Sequence, residues 1–303
     1  MNTPKTHIFF KKAFSLLSVV RGYNILILVA AQYLAAIFIF SEKRHLKPVI
    51  YDLHLFYLVF ATVCVVAAGY IINNFYDLQS DKINRPLKSG VDALVKQETQ
   101  LSLYFLLNFL GFSFGWLVSW RAALFFAVYI FTIWFYSHKL KKYPLTGLLV
   151  ASVLTILPFF VIFIHYKNFS TIIFIHAFFL FLVIAARELI KDLENIKGAI
   201  ANDYNTFPIV YGIKKTKLFI SLCILLCIAP IISLITNPEI KHMKYYFVFA
   251  GLTLFFIIGY LWKAYSRKHY ILLHNILKIL LLIGVFSLLL IDKNILLDRL
   301  IKL

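Results

Sequence analysis

Nine long apolar runs constrain this chain more than any other feature of its sequence. Each run approaches the length of about 20 residues that a helix needs to cross the hydrocarbon core of a bilayer. The runs cover residues 23–40, 52–72, 101–119, 122–138, 146–165, 170–187, 217–236, 245–262 and 271–291. Apolar residues make up 62% of the 303 residues and charged residues only 15%, whereas a soluble domain has roughly 25% charged residues. The sequence therefore predicts an all-α fold, a polytopic bundle of nine transmembrane helices.

The polar segments between these runs are too short to form a soluble domain. We therefore expect one membrane domain over residues 1–303, with residues 1–20 forming an N-terminal segment at the membrane interface. The three cysteines lie inside apolar runs. That position is typical of core residues and excludes a disulfide scaffold or a zinc cluster.

The formal net charge of +18 would indicate nucleic-acid binding in a soluble protein. Here the basic residues lie between apolar runs, where the positive-inside rule and anionic lipid headgroups explain them. We therefore expect the bilayer as a partner and no nucleic acid. Twenty Lys and Arg residues lie on the side of the N-terminus and ten on the other side, while Lys278 lies within the ninth run. This bias predicts a cytoplasmic N-terminus, in the cell (inner) membrane if the source is bacterial.

Acidic residues concentrate on two segments of the side that is richer in Lys and Arg. The first segment follows the second run and contains Asn73, Asp77 and Asp81, which share one helical face if the second helix continues. Two carboxylates and an amide oxygen on one face suit Mg²⁺, which leaves coordination positions for phosphate oxygens. Arg85 and Lys88 follow and can hold anionic oxygens. The alternative is a solvated helix end that caps itself.

The second segment follows the sixth run, where Glu188, Asp192 and Asn195 have helical spacing, with Arg187 and Lys191 beside them. Taken alone, such a mixture also fits plain surface salt bridges. Together with the first segment it indicates a diphosphate held between two metal-bearing acidic faces. The stretch 136–142, which contains Tyr136, Lys139 and Lys141, supplies further cations, although positive-inside bias explains each single lysine equally well.

These motifs resemble the UbiA superfamily of intramembrane prenyltransferases, which have nine transmembrane helices and two cytoplasmic Asp-rich motifs. The stretch from Asn73 to Pro86 is similar to the first motif, N-D-x-x-D-x-x-x-D followed by N-R-P. Tyr136 and the lysines after it resemble the family's Tyr/Lys loop, and Arg21 and Asn24 its first-helix R-x-x-N. Residues 187–212 resemble the second motif of the branch that includes geranylgeranylglyceryl-phosphate geranylgeranyltransferases.

The second motif departs from that branch at two positions. Asn195 and Ala199 stand where the branch commonly has two Asp residues. Asn195 can still offer an oxygen to a metal, whereas Ala199 cannot. We therefore expect a weakened second metal site, unless Asp203 or Glu194 supplies the missing oxygen.

The resemblance implies transfer of a polyprenyl group from a prenyl diphosphate to a lipophilic acceptor, with Mg²⁺ as the cofactor. It implies Asp77, Asp81 and Asp192 as catalytic residues, and Asn73, Asp77, Asp81, Asp192 and Asn195 as metal ligands. It further implies a diphosphate site made by Arg85, Tyr136, Lys139, Lys141, Arg187 and Lys191, and a substrate pocket with Arg21 and Asn24. Phe75, Tyr76 and Tyr136 are candidates for stabilising an allylic cation. The acceptor is either a glyceryl phosphate lipid such as geranylgeranylglyceryl phosphate, which the second motif favours, or an aromatic acid that leads to a quinone.

A membrane transporter is the non-enzymatic alternative that nine spans leave open. Transporters place ionisable residues near the centre of the bilayer. Apart from Lys278 and His176, the centres of the nine runs carry almost no ionisable residue. This distribution favours an enzyme.

Overall fold

The computed structural model of the protein describes residues 5–41 and 46–291, which fold into helices without a strand among them. In chain order the α-helices are α1 (Lys5–Val19), α2 (Gly22–Ala35), α3 (Leu46–Ile50), α4 (Leu53–Tyr76), α5 (Leu78–Asn84), α6 (Pro86–Asp92), α7 (Gln97–Val118), α8 (Trp120–His138), α9 (Pro144–Tyr166), α10 (Thr171–Glu194), α11 (Ile196–Ala201), α12 (Phe207–Leu226), α13 (Ile228–Thr236), α14 (Lys244–Lys263) and α15 (Arg267–Ser287). A π-helical segment, Ala36–Phe40, extends α2, and 3₁₀ turns cover Leu140–Lys142, Pro238–Met243 and Leu288–Leu290.

Within the described residues, nine helical segments are long and apolar enough to cross a membrane, which confirms the predicted fold class. They are α2 with its π-helical extension, α4, α7, α8, α9, α10, α12 with α13, α14 with the turn before it, and α15 with the turn after it. The largest differences from the apolar runs are at the polar ends. Helix α10 continues to Glu194, because a helix can extend out of the lipid with its backbone bonds intact. Helix α12 begins at Phe207, but it is kinked at Gly212, whose φ of 82° and ψ of 162° are not helical.

Polar side chains in the middle of the bundle bond to backbone carbonyls at and near a proline. Pro158 lies inside α9 and has no N–H, so the carbonyl of Leu154 lacks its helical donor. The Tyr129 hydroxyl of α8 donates to that carbonyl at 3.1 Å. The Pro158 carbonyl in turn accepts from Gln32 Nε2 of α2 at 2.8 Å, and Gln32 also donates to Thr62 Oγ1 of α4 at 3.3 Å. These bonds tie four helices together where water is absent.

Small residues let α7 approach its neighbours closely. A methyl group at Gly111 would lie 2.5 Å from Val65 Cγ2 of α4, and one at Gly115 would lie 2.6 Å from Phe126 Cδ2 of α8. Close backbone approach of this kind is a common way for transmembrane helices to pack. The contacts fix the position of α4, whose last turn carries part of the first acidic segment.

Helix α1 packs against the short helix α6 beside the first acidic segment. Ser15 Oγ donates to the Val91 carbonyl at 2.8 Å, and Ser18 Oγ donates to Asp92 Oδ1 at 2.7 Å. Asp92 is buried and also pairs with Lys88. The predicted interfacial segment 1–20 is therefore an anchored helix over Lys5–Val19, while residues 1–4 lie outside the described residues.

We expect a Tyr129→Phe substitution to lower the free energy of unfolding by about 1 kcal/mol, because it leaves the Leu154 carbonyl without a donor. In a Pro158→Ala background the alanine N–H can bond to that carbonyl, so the same substitution should cost clearly less. The wild type, the two single variants and the double variant are unfolded in detergent. Their free energies of unfolding give the coupling energy between Tyr129 and Pro158. Equal costs in both backgrounds would contradict the assigned hydrogen bond.

Candidate active site

A cavity of about 660 Å³ opens at the end of the bundle where α4 and α10 finish. Its walls come from α2, α4, α5, α8, α9, α10, α11 and α15. Its polar lining includes both acidic segments, the loop after α8, and further polar side chains on α2 and α15. The two segments that the sequence singled out therefore share one cavity.

The first acidic segment bends where the sequence predicted a continuous helix. Helix α4 ends at Asp77, whose φ of −92° and ψ of 4° are not helical, and α5 starts at Leu78. The backbone bonds from Asp77 N to the Asn73 carbonyl (3.0 Å) and from Asp81 N to the Asp77 carbonyl (2.8 Å) keep the helical spacing across the bend. Asn73, Asp77 and Asp81 all line the cavity.

Asp77 is buried and is held by three side chains. Asn73 Nδ2 donates to Asp77 Oδ2 at 3.0 Å, and Lys141 forms an ion pair with the same oxygen. The Tyr204 hydroxyl donates to Asp77 Oδ1 at 3.1 Å. Burial and the neighbouring Asp77 carboxylate raise the pKa of Tyr204, so the phenol stays protonated and remains a donor. Sequence reasoning missed Tyr204, because no spacing pattern connects it with Asp77.

The second acidic segment contains an internally compensated group. Glu188 is buried and pairs with Arg187 at 2.8 Å and also with Lys191. Asp192, one turn later, forms no ion pair with any described residue and also lines the cavity. Arg187 and Lys191, the predicted diphosphate-binding cations of this segment, also line the cavity. Glu188 balances part of their positive charge.

Asn195 presents an uncommitted oxygen at the end of α10. Its Nδ2 donates to the Lys191 carbonyl at 2.9 Å and caps the helix, while its Oδ1 is buried without a hydrogen-bond partner among the described residues. Such an orphaned oxygen is costly unless a ligand uses it. Asn195 also lines the cavity.

Neither candidate for a compensating carboxylate is free to supply the missing oxygen. Helix α11 ends at Ala201, and Asp203 is exposed with a left-handed φ of 52°, outside the cavity lining. This placement does not support Asp203 as a replacement ligand. Glu194 lines the cavity, but its carboxylate contacts His274 Nδ1 at 2.8 Å.

The oxygen donors of the cavity fit Mg²⁺ when a substrate contributes further oxygens. Across the described part of the chain, no three His, Cys, Asp or Glu side chains group closely enough to hold a metal. Apart from Glu188 and Glu194, which pair with basic side chains, the cavity presents two carboxylates from the first segment and one carboxylate with one amide oxygen from the second. Mg²⁺ uses one or two carboxylates and completes its shell with water and phosphate oxygens, so this set fits the ion.

Most of the other predicted residues also line the cavity: Arg21, Asn24, Arg85, Tyr136 and Lys141. Lys139 does not line it. Helix α8 ends at this residue, and Lys139 is exposed beyond it. Phe75 and Tyr76 are also outside the lining, and the Tyr76 hydroxyl contacts His138 Nδ1 at 3.1 Å. Of the three aromatic candidates, Tyr136 is therefore the one that lines the cavity. Tyr70 and Tyr129 line it as well.

A close contact between α5 and α11 holds the two acidic segments against each other. Asn84 Nδ2 donates to the Asn195 carbonyl at 3.4 Å, and Arg267 of α15 donates to the Asn84 carbonyl at 2.7 Å. Gly198 lies against the same asparagine, and a methyl group there would overlap Asn84 Nδ2 and lie 2.6 Å from Ser80 Oγ. The spacing of the two acidic faces depends on this contact.

An apolar chamber of about 210 Å³ adjoins the polar cavity deeper in the bundle. The two share Ala31, Thr155, Phe159 and Val285 in their walls. Phenylalanine side chains dominate the chamber, and His176 is one of its few polar residues. A ligand with a polar head and a long apolar tail fits this succession of surfaces.

We expect Gly198→Ala to reduce activity at least about tenfold, because the methyl group must displace Asn84 and separate the two acidic faces. Turnover and thermal unfolding of the purified variant measure the effect. Gly90→Ala on α6 is the matched control, since a methyl group there has no atom within 4 Å. Full activity of Gly198→Ala would show that the spacing of the two segments is not set at this contact.

Comparison with known proteins agrees with this geometry. Residues 29–281 match the UbiA prenyltransferase family. A digeranylgeranylglyceryl phosphate synthase from Methanobrevibacter smithii is 31% identical over 251 residues, which cover 80% of this chain and 84% of that protein. A protein of the same name from Methanosphaera stadtmanae is 31% identical over 66% of this chain and 71% of its own length.

Solved structures show the same fold. A structure described as giving insight into the biosynthesis of digeranylgeranylglyceryl phosphate synthase in membranes has a TM-score of 0.68 and 22% identity, over 91% of this chain and 97% of that chain. A UbiA homologue from Archaeoglobus fulgidus bound to DMAPP and Mg²⁺ has a TM-score of 0.66 and 12% identity, over 90% and 98%. The chain therefore belongs to the UbiA prenyltransferase family and is an integral, multi-pass membrane prenyltransferase.

Proposed function

We propose that this prenyltransferase transfers a polyprenyl group from a prenyl diphosphate to a glyceryl phosphate lipid, with Mg²⁺ as the cofactor. The observation that carries the proposal is the placement of two oxygen-rich faces, on α4–α5 and on α10–α11, around one cavity that adjoins an apolar chamber. The names of the curated relatives support the acceptor class. The A. fulgidus homologue, solved with DMAPP and Mg²⁺, supports the donor class and the metal.

Four side chains would hold the metal. They are Asp77 and Asp81 on the first face and Asp192 and Asn195 on the second, with Asn73 supporting Asp77 through its 3.0 Å hydrogen bond. When bound, Mg²⁺ supplies positive charge that stabilises the diphosphate as it leaves.

The protein's own groups complete the binding of the diphosphate. Lys141, Arg187 and Lys191 line the cavity, and each is already paired with a carboxylate, so they are positioned before substrate arrives. Tyr204 fixes the orientation of Asp77. Preorganised charge of this kind stabilises a developing anion without rearrangement during the reaction.

The reaction breaks the bond between the allylic carbon and the diphosphate oxygen, and the electron pair leaves with the diphosphate. The acceptor hydroxyl oxygen forms the new bond to that carbon, and its proton passes to an oxygen of the released diphosphate. The apolar chamber accepts the prenyl tail and excludes water. Tyr136 and Tyr70 in the cavity wall can stabilise the positive charge on the allylic carbon.

The distribution of basic residues supports a cytoplasmic location for this end of the bundle. An aromatic acceptor is the competing outcome, and no feature of the cavity favours it. The transporter alternative lacks support, because the carboxylates of the cavity lie at the ends of α4 and α10 and not at their centres.

We expect Asp77→Asn and Asp81→Asn each to lower prenyl transfer at least about a hundredfold, because each removes a negatively charged oxygen ligand. The purified protein is assayed with Mg²⁺, a series of prenyl diphosphates, geranylgeranylglyceryl phosphate and an aromatic acid. Glu98→Gln, on the exposed start of α7, is the matched control. Normal turnover in either variant would contradict the metal assignment, and wild-type transfer to the aromatic acid alone would contradict the proposed acceptor.

The residues of the second face, on α10–α11, predict that an added carboxylate there changes the affinity for Mg²⁺. Ala199 is buried and lines the cavity, so Ala199→Asp adds a carboxylate beside Asn195 and should lower the half-maximal Mg²⁺ concentration about threefold or more. Ala201→Asp, on the exposed end of α11, makes the same charge change outside the cavity.

Mg²⁺ titrations of turnover measure both variants, together with Asp203→Asn and Glu194→Gln. Asp203→Asn should behave as wild type, because the side chain is exposed and outside the cavity lining. An unchanged or higher midpoint in Ala199→Asp, with loss of activity in Asp203→Asn or Glu194→Gln, would show that the site has adapted differently.

A further inference from the structure

The cations of the cavity divide into a paired and an unpaired group. Lys141, Arg187 and Lys191 pair with carboxylates of the acidic segments. Three other cations line the cavity from the side of α2 and α15 and from the end of α5, and none of them has a carboxylate within ion-pair distance among the described residues: Arg21, Arg85 and Lys278. Arg85 still interacts electrostatically with Glu194, whereas Arg21 and Lys278, on the side of α2 and α15, have no carboxylate partner among the described residues.

Lys278 is the most unusual member of this unpaired group. It lies in the middle of α15, one of the membrane-spanning segments. Its Nζ donates to the Tyr23 hydroxyl of α2 at 3.0 Å and lies 4.5 Å from the centre of the Tyr23 ring. An ionisable residue within a membrane span is costly and indicates a functional role. The diphosphate site on the acidic segments does not account for it.

Arg21 and Tyr23 are two residues apart at the start of α2 and both line the cavity, and Lys278 reaches Tyr23 from α15. Arg21 is held by stacking on Tyr70, with its guanidinium carbon 4.9 Å from the ring centre. Tyr23 is 56% exposed, so the Lys278–Tyr23 contact lies at the rim of the cavity between α2 and α15.

We propose that Lys278, with Tyr23 and Arg21, binds the phosphate group of the lipid acceptor; this inference rests on the proposed function. The reaction brings two phosphate-bearing substrates into one cavity. Because like charges repel, the second phosphate needs cations of its own, away from the metal-bearing faces. A phosphate monoester carries up to about two negative charges near neutral pH, and lysine binds such groups as a point charge.

The location of the contact agrees with an acceptor that comes from the bilayer. A lipid whose phosphate stays at the rim between α2 and α15 can place its glycerol hydroxyl in the cavity. The donor diphosphate then lies against the acidic segments that follow α4 and α10. A phosphodiester headgroup of an ordinary bilayer lipid has related chemistry, so the experiment must separate it from the acceptor.

The first test is binding without donor or Mg²⁺. Purified protein in a non-ionic detergent is titrated with geranylgeranylglyceryl phosphate and with the same ether lipid lacking the phosphate. Wild type should bind the phosphate lipid at least about tenfold more tightly than the alcohol, and Lys278→Gln should lose this preference. Lys268→Gln, on the exposed start of α15 outside the cavity, is the matched control and should keep it.

The second test is turnover. Lys278→Gln should raise the KM for geranylgeranylglyceryl phosphate about tenfold and change the KM for the prenyl diphosphate less than about twofold. Tyr23→Phe, which keeps the ring and removes the hydroxyl, should shift the acceptor KM in the same direction by a smaller factor. Tyr23→Phe also tests the inference if Lys278→Gln folds poorly.

Three results would overturn the inference. They are equal binding of the phosphate lipid and the alcohol by wild type, a KM change confined to the donor, and full competition by an equal concentration of phosphatidylglycerol, which would make this a headgroup site. Failure of the proposed function looks different, since wild type would then prenylate an aromatic acid and not the glyceryl lipid. The binding experiment decides the role of Lys278 in that case as well.

Discussion

Unpaired charge is costly in the hydrocarbon core of the membrane, and this cost determines where most of the polar chemistry of the protein lies. The span centres contain almost no ionisable side chains, and their freed backbone groups are satisfied internally, as in the bond from Tyr129 to the Leu154 carbonyl. The carboxylates accordingly lie where α4 and α10 leave the apolar region. The bundle can therefore bind a charged diphosphate at one end and an apolar prenyl chain in its interior.

The electrostatics of the cavity follow from the same constraint. Glu188 balances Arg187 and Lys191, and Asp77 balances Lys141, so most charges near the proposed diphosphate site are held in place by a partner. Asp192 and the Asn195 oxygen are exceptions, and both suit a metal ion. The unpaired cations on the α2 and α15 side are the opposite case, and an anionic ligand would balance them.

The short helices after α4 and α10 contribute geometry as well as ligands. The Asn84–Asn195 contact joins segments that are 111 residues apart in the chain. Gly198 allows α11 to approach α5 because it has no side chain to displace Asn84. The bend at Asp77 keeps Asn73 and Asp81 on the same side even though the helix is interrupted. The two acidic segments thus act as one site only through their packing.

Hydropathy and helical spacing are local properties of the chain, so they predict the nine membrane-crossing segments found among the described residues and the positions of both acidic segments. The tertiary structure decided which of those side chains meet. It brought Tyr204 to Asp77, removed Lys139 and Asp203 from the site, and placed Lys278 beside Tyr23. These outcomes depend on the end of α8, on a left-handed turn at Asp203 and on the packing of α15 against α2. No sequence pattern encodes such contacts, because the partners are far apart along the chain and meet only after the helices have packed.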